Sequence, residues 1–190
     1  MYAKTCTRLD ISFIVGMLAK FQSNPMINHS KAAKKIFRYL QDTKDYMFTY
    51  RRSNHLEVIG YSDSDYAECV DSRKSIFGYI FLLVGRMVSW KSTKQSVIAT
   101  STMKTKFVMC FEAIIQALWL QSFISRFGIV DGIPKLLRIY CDNFVKHRVS
   151  IKHISTNLMI ANLLTKGLPP KTFIDHVRRM SIMDKSLLMM

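Results

Sequence analysis

Leu56-Glu57-Val58-Ile59-Gly60-Tyr61-Ser62-Asp63 is the stretch on which the fold turns. Its aromatic and β-branched residues read as a strand, and it carries a carboxylate, Asp63. A polar turn at Cys69–Lys74 leads on to the apolar strand Ile76–Val84. Gly85-Arg86 then turns into a short strand, Met87–Lys91, so the three form an antiparallel meander. Ser101 or Thr102 caps a long helix that runs to about Phe127 and stops at Gly128. Phe107, Cys110, Phe111, Ile114, Ile115, Leu118 and Phe123 are expected to form its buried stripe. Beyond Gly132-Ile133-Pro134, Leu136–Cys141 reads as a buried strand ending at Asp142-Asn143, and Val149–Ile154 is a candidate for one more. A helix is expected from Thr156 or Asn157 through Lys166, closed by Gly167-Leu168-Pro169-Pro170. A last short helix spans about 171–180.

Upstream, Asp10 is placed to cap a helix to about Phe21, with Ile11, Ile14, Val15, Leu18 and Phe21 at helical spacing. Asn24-Pro25 breaks it. A second helix carries Ala33, Ile36, Phe37 and Leu40 on one face, with Lys31, Lys34, Lys35 and Arg38 mostly off that face. Met47–Arg51 reads as a further strand. The class is mixed α/β, with neither an internal repeat nor a flexible linker.

Composition bounds the function. The chain has 190 residues, enough for one large domain or a domain plus a fragment. With 49% hydrophobic residues it can build a core, and 7 Gly and 4 Pro exclude a low-complexity chain. The longest uninterrupted apolar run, Ile76 to Gly85, is short of the ~20 residues that span a bilayer, so no membrane association is expected. No signal-peptide pattern opens the chain. Cys6, Cys69, Cys110 and Cys141 are scattered without a C-x-x-C pair. These features predict a reduced intracellular protein, cytoplasmic or nuclear and not secreted, without a zinc site.

The formal charge is +15, from 28 Lys+Arg against 13 Asp+Glu. Residues 1–54 and 133–190 each carry a balance of +7, and residues 55–132 only +1. Glu57, Asp63, Asp65, Glu68 and Asp71 cluster in that middle part. Basic flanks suit a nucleic-acid backbone and an acidic cluster suits chemistry; a solvated basic surface would give the same charge balance. Asp63 in one strand and Asp142 at the end of another suit two-metal phosphodiester hydrolysis, in which carboxylates hold two ions ~3.5–4 Å apart. Two Asp alone are a weak signal, because Asp at strand ends is common in turns.

Longer motifs narrow the reading. Asp10-Ile11-Ser12-Phe13, Ser23-Asn24-Pro25 and Ala32-Ala33-Lys34-Lys35-Ile36-Phe37-Arg38-Tyr39-Leu40 resemble the last reverse-transcriptase helices of copia-type LTR-retrotransposon Pol polyproteins. Gly60-Tyr61-Ser62-Asp63-Ser64-Asp65-Tyr66-Ala67 is similar to that family's Y-S-D-A-D-W-A strand. Arg73-Lys74-Ser75, Ser89-Trp90-Lys91-Ser92, Ala117-Leu118-Trp119-Leu120, Tyr140-Cys141-Asp142-Asn143 and Ala161-Asn162-Leu163-Leu164-Thr165-Lys166-Gly167-Leu168-Pro169 follow in the family's order. The resemblance implies a reverse-transcriptase tail over 1–54, an RNase H-like domain over 55–180 and a tail over 181–190. It also implies Mg²⁺-dependent cleavage of RNA in an RNA/DNA hybrid by two Asp on strands, one Glu on the long helix and one Asp near the C-terminus. No small-molecule cofactor is implied.

The chain departs from that set. Asp63 and Asp142 match, but Lys106 stands where the resemblance expects the Glu, and Asn162 where it expects the last Asp. Two unit charges about 4 Å apart are worth ~4 kcal/mol at an effective dielectric of about 20, so a lysine in a ligand position costs more than a deletion. Glu112 lies six residues beyond Lys106, ~240° around the helix, and faces elsewhere. The stretch after Asn143 is about a dozen residues long, where the family continues through a helical segment; Lys152-His153-Ile154 echoes either that missing part or the last strand. The segment after 143 is therefore expected to be shortened, exposing apolar sheet. Asp63 and Asp142 remain as vestigial metal ligands, and weak or absent cleavage is expected. The alternatives are a non-catalytic nucleic-acid-binding module, held electrostatically, and a residual ribonuclease H.

Overall fold

In the computed structural model of the chain, which describes residues 7–50, 53, 57–69, 74–96, 98–127, 137–141 and 150–184, five strands form one mixed sheet. The elements in chain order are α1 (Ser12–Leu18), α2 (Ile27–Asp42), β1 (Tyr46–Phe48), β2 (Val58–Cys69), β3 (Lys74–Leu83), β4 (Arg86–Lys94), α3 (Thr102–Arg126), β5 (Leu137–Cys141), β6 (Ser150–His153), α4 (Pro170–Arg179) and β7 (Ile182–Asp184). The sheet order is β4-β3-β2-β5-β6. β2, β3 and β4 are the expected antiparallel meander, and β5 and β6 join it in parallel. Val84 and Gly85 both take positive φ, 53° and 71°, in the β3–β4 turn. Turns of that hand match the strand twist. β1 and β7 pair separately as an antiparallel ribbon, Tyr46 opposite Asp184.

β3 is buried on both sides, and its alternation divides the core in two. Phe77, Tyr79 and Phe81 face α3, together with Val58, Met109, Ala113, Ala117, Leu120 and Ile139. Ile80 and Leu82 face the other way, against Leu9, Ile160, Leu163, Leu164, Val177 and Met180. The N-terminal segment is pinned by a polar cluster. Arg8 forks onto Asp10 (3.0 and 2.7 Å), the Tyr39 hydroxyl donates to Asp10 at 2.7 Å, and Arg8 also donates to Thr43 at 2.7 Å. Burial, and then the Asp10 charge, push the Tyr39 hydroxyl well above its ordinary pKa.

Several expectations change. Asp10 caps no helix: 3₁₀ turns (Leu9–Ile11 and Ala19–Phe21) flank the short α1, because the Asp10 carboxylate is taken by Arg8. The apolar face expected on α2 is not buried: none of its residues is, and Phe37 is exposed. The helix expected up to Lys166 is two 3₁₀ segments, Thr156–Leu158 and Ile160–Leu164. Ser101 does cap α3, accepting from the Lys104 N–H at 3.2 Å. Most of the expected α3 stripe, however, points outward. Ala113, Ala117 and Cys110 lie against the sheet, while Phe107, Phe111, Ile115, Leu118 and Phe123 are exposed. The apolar surface expected on the sheet thus lies mainly on helices among the described residues. By length and composition alone α3 could cross a membrane, although its inner face packs on the sheet. His29 lies in α2 and accepts from the Met26 N–H at 3.0 Å. Asn143 and the turn residues Val70 to Arg73 lie outside the described residues.

Candidate functional site

Asp63 is 1% exposed in the middle of β2, and its Oδ2 is held by the C-terminal segment. Strand alternation turns it away from α3, toward the 3₁₀ segment Ile160–Leu164 that packs on β2 and β3. The residue that ends that segment, Thr165, is fully buried and donates from Oγ1 to Asp63 Oδ2 at 2.6 Å. Lys166 follows, its Nζ 3.2 Å from the same oxygen. A carboxylate removed from water needs such compensation, and a cation within hydrogen-bond reach supplies most of it. Gly78, next in register to Asp63, allows the close approach: a Cβ there would meet Leu164 Cβ at 2.5 Å.

Asn162 belongs to the same segment. On a 3₁₀ helix, side chains three residues apart eclipse, so Asn162 shares the side from which Thr165 reaches Asp63. Asn162 is 3% exposed. Its Nδ2 donates to the Thr156 carbonyl at 2.9 Å, and its Oδ1 has no hydrogen-bond partner among the described residues. Lys106 lies near the start of α3, half-buried, on the helix that covers the opposite face. Beside it, Thr105 shares a hydrogen bond with Ser75 at 3.0 Å and accepts from Gln95 through its carbonyl at 2.8 Å, which fixes this end of α3 to the sheet. Glu112 turns aside as expected, pairing with Lys91 at 3.7 Å. Asp142 lies outside the described residues. Its chain neighbour Cys141 ends β5, with Sγ 2.9 Å from Ser62 Oγ and 3.5 Å from Cys110 Sγ.

Asn162 thus belongs to the segment whose end, Thr165 and Lys166, meets Asp63. The partners that sequence reasoning missed are Thr165 and Lys166, and the only signal for them was their position three and four residues beyond Asn162. The described donors do not make a site for two divalent cations. A lysine faces the buried Asp63 carboxylate, and among the described residues no three of His, Cys, Asp and Glu gather to hold a metal ion. Nearby, Ser12, Lys20, Ser92, Thr93 and Lys94 line an open groove of about 410 Å³ between α1 and the end of β4. Ser92 also donates to the Leu164 carbonyl at 2.8 Å, tying the groove to the Asp63 segment.

Comparison with known proteins adds sequence relatives. The chain is 36% identical to the retrovirus-related Pol polyprotein from transposon TNT 1-94 of Nicotiana tabacum over 143 residues, 75% of this chain and 10% of that protein. It is 27% identical to the Pol polyprotein from transposon RE2 of Arabidopsis thaliana, over 93% of this chain and 14% of that protein. That alignment runs over 205 residues, more than the 190 of the whole chain, so RE2 carries residues that have no counterpart here. A secreted RxLR effector protein of Plasmopara viticola is 41% identical over 120 residues, 63% of this chain and 84% of the effector. The chain therefore spans a small fraction of the transposon polyproteins. No family model matches it, and no solved structure does.

Proposed function

The chain belongs to the retrovirus-related Pol polyprotein family of copia-type transposons, and from that premise we propose that it is an RNase H-like fragment that binds nucleic acid without cleaving it. The strand order β4-β3-β2-β5-β6, with α3 between β4 and β5, supports the RNase H-like reading. The observation that supports an impaired metal site is the buried Asp63 carboxylate, whose Oδ2 has the Lys166 ammonium 3.2 Å away and accepts from Thr165 at 2.6 Å. Lys106 and Asn162, at two positions where the resemblance expects acids, deepen the same deficit. Mg²⁺ would enter this site only against the Lys166 charge.

Binding rests on different groups. Phosphate contacts need cations and hydroxyls, and the 410 Å³ groove offers Lys20, Lys94, Ser92 and Thr93 for them. A net charge of +15 supplies the long-range attraction.

The test is incubation of the full chain with a labelled RNA/DNA hybrid in Mg²⁺ and in Mn²⁺. The hybrid is expected to be bound and left intact, with affinity falling steeply as salt rises. Cleavage that Asp63→Asn abolishes would overturn the proposal. Lys94→Glu is expected to weaken binding several-fold and leave the melting transition in place.

A further inference from the structure

Cys110 lies on the buried side of α3 and Cys141 ends β5, so the fold brings together two cysteines that stand 31 residues apart in sequence. Their sulfurs are 3.5 Å apart, in van der Waals contact, and neither is in a disulfide. A third group joins them from β2, where the Ser62 hydroxyl lies 2.9 Å from Cys141 Sγ. We propose that Cys110 and Cys141 are a redox-active thiol pair, which a peroxide oxidises to a disulfide that ties α3 to β5.

Geometry is the first support. A disulfide bond is about 2.05 Å long, so the two sulfurs have only about 1.5 Å left to close. A modest rotation of each side chain about Cα–Cβ shares that distance between them. Isolation is the second support. Both sulfurs sit in the core cluster that holds Val58, Phe77, Met109 and Ile139. A bulky thiol has no room among these side chains, whereas hydrogen peroxide is hardly larger than water. Each cysteine therefore has the other as its available partner once one of them is oxidised.

The chemistry runs in two steps. Cys110 is 6% exposed and Cys141 1%, so a peroxide meets Cys110 first. The Cys110 sulfur attacks the O–O bond. One oxygen stays on the sulfur as a sulfenic acid, and the other leaves as water with the thiol's proton. Cys141 then attacks the Cys110 sulfur. The S–S bond forms, the S–O bond breaks, and the leaving hydroxide takes the Cys141 proton to give a second water. Two electrons pass from the two sulfurs to one peroxide. Ser62 serves the second step, because its hydroxyl can turn its hydrogen to the Cys141 sulfur as that thiol loses its proton. Burial disfavours a thiolate, so the first step is slow, and in a reducing compartment the pair stays as two thiols.

Peptide mapping of the full chain tests the proposal. The reduced, folded chain is exposed to millimolar hydrogen peroxide well below its melting temperature. Remaining thiols are alkylated in denaturant, and the chain is cut with trypsin in the absence of reductant. Residues 107–126 carry Cys110 and residues 139–146 carry Cys141, with no other cysteine in either peptide. The expected product joins these two peptides and is two hydrogens lighter than their sum. Oxidation is expected to raise the melting temperature by about 5 °C, and dithiothreitol to reverse the rise. Cys110→Ser and Cys141→Ser each remove the linked peptide and the shift. Where a serine variant loses its cooperative melt, Cys110→Ala or Cys141→Ala replaces it with the same loss expected. Both thiols still open to alkylation, after an exposure that oxidises them in the urea-unfolded chain, overturns the proposal. So does oxidation of Cys110 to a sulfinic acid with no link formed, or a link from either cysteine to Cys6 or Cys69 in preference.

Discussion

A carboxylate at 1% exposure holds its charge only through what surrounds it, and Asp63 leans on Thr165 and Lys166. Lys166→Met removes the cation and keeps the stem, taking one positive charge away from the buried carboxylate. Lys166 keeps about a third of its side chain in water, which discounts the pair from its fully buried value, and a loss of about 1–3 kcal/mol in urea unfolding is expected. Asp63→Asn in that background recovers part of the loss, since the amide oxygen still accepts from Thr165. A second residue sets an acid limit. His176 is fully buried, neither ring nitrogen has a hydrogen-bond partner among the described residues, and burial, aided by Arg179, lowers its pKa below the ordinary 6.5. The unfolded chain therefore binds a proton that the folded chain refuses. The neutral ring's contribution is fully present above about pH 6.5 and is lost as pH falls toward the lowered value. His176→Leu is expected to flatten the melting temperature between about pH 7 and pH 5.

Among elements, the 3₁₀ segment Ile160–Leu164 does most to position the site, and it seats only because Gly78 is bare. Gly78→Ala drives a Cβ into Leu164 Cβ and within 3.3 Å of the Lys91 carbonyl. A loss of about 1–3 kcal/mol is expected, with the Asp63 contacts loosened, read as a lowered melting temperature. The meander, α3 with its Ser101 cap, β5 and α4 were legible in the sequence, because alternation, capping and Gly-Pro punctuation are local. The face of α3 was not. Its apolar residues run nearly all round, so spacing alone cannot select a side. The sheet takes Cys110, Ala113 and Ala117, with Met109 and Leu120, against Phe77, Tyr79 and Phe81. The 3₁₀ form of 160–164 was hidden for a similar reason: it follows from tertiary seating on β3, and Ala-Asn-Leu-Leu fits either helix. Of the candidate site, Asp63 and Asn162 could be read from motifs, whereas Lys166 as the cation on Asp63 needed the fold.

At the scale of the whole molecule, charge outweighs any single contact. Twenty-eight basic residues against 13 acidic ones make the folded state repel itself. Raising NaCl from about 0.02 M to about 0.5 M is expected to raise the melting temperature by a few degrees, ~2–5 °C, while hybrid binding weakens over the same range. The opposite signs separate self-repulsion from phosphate contact in one titration. The two cores share β3, so a single cooperative transition is expected rather than two.

The ribbon of β1 and β7 bears on how the protein is made. Among the described residues β1 has β7 as its strand partner, Tyr46 opposite Asp184, so that pairing waits until β7 has been made. At about 5–20 residues per second a ribosome leaves that pairing unmade for on the order of ten seconds after β1 emerges. The β1–β7 ribbon thus closes after the strands of the main sheet have been made.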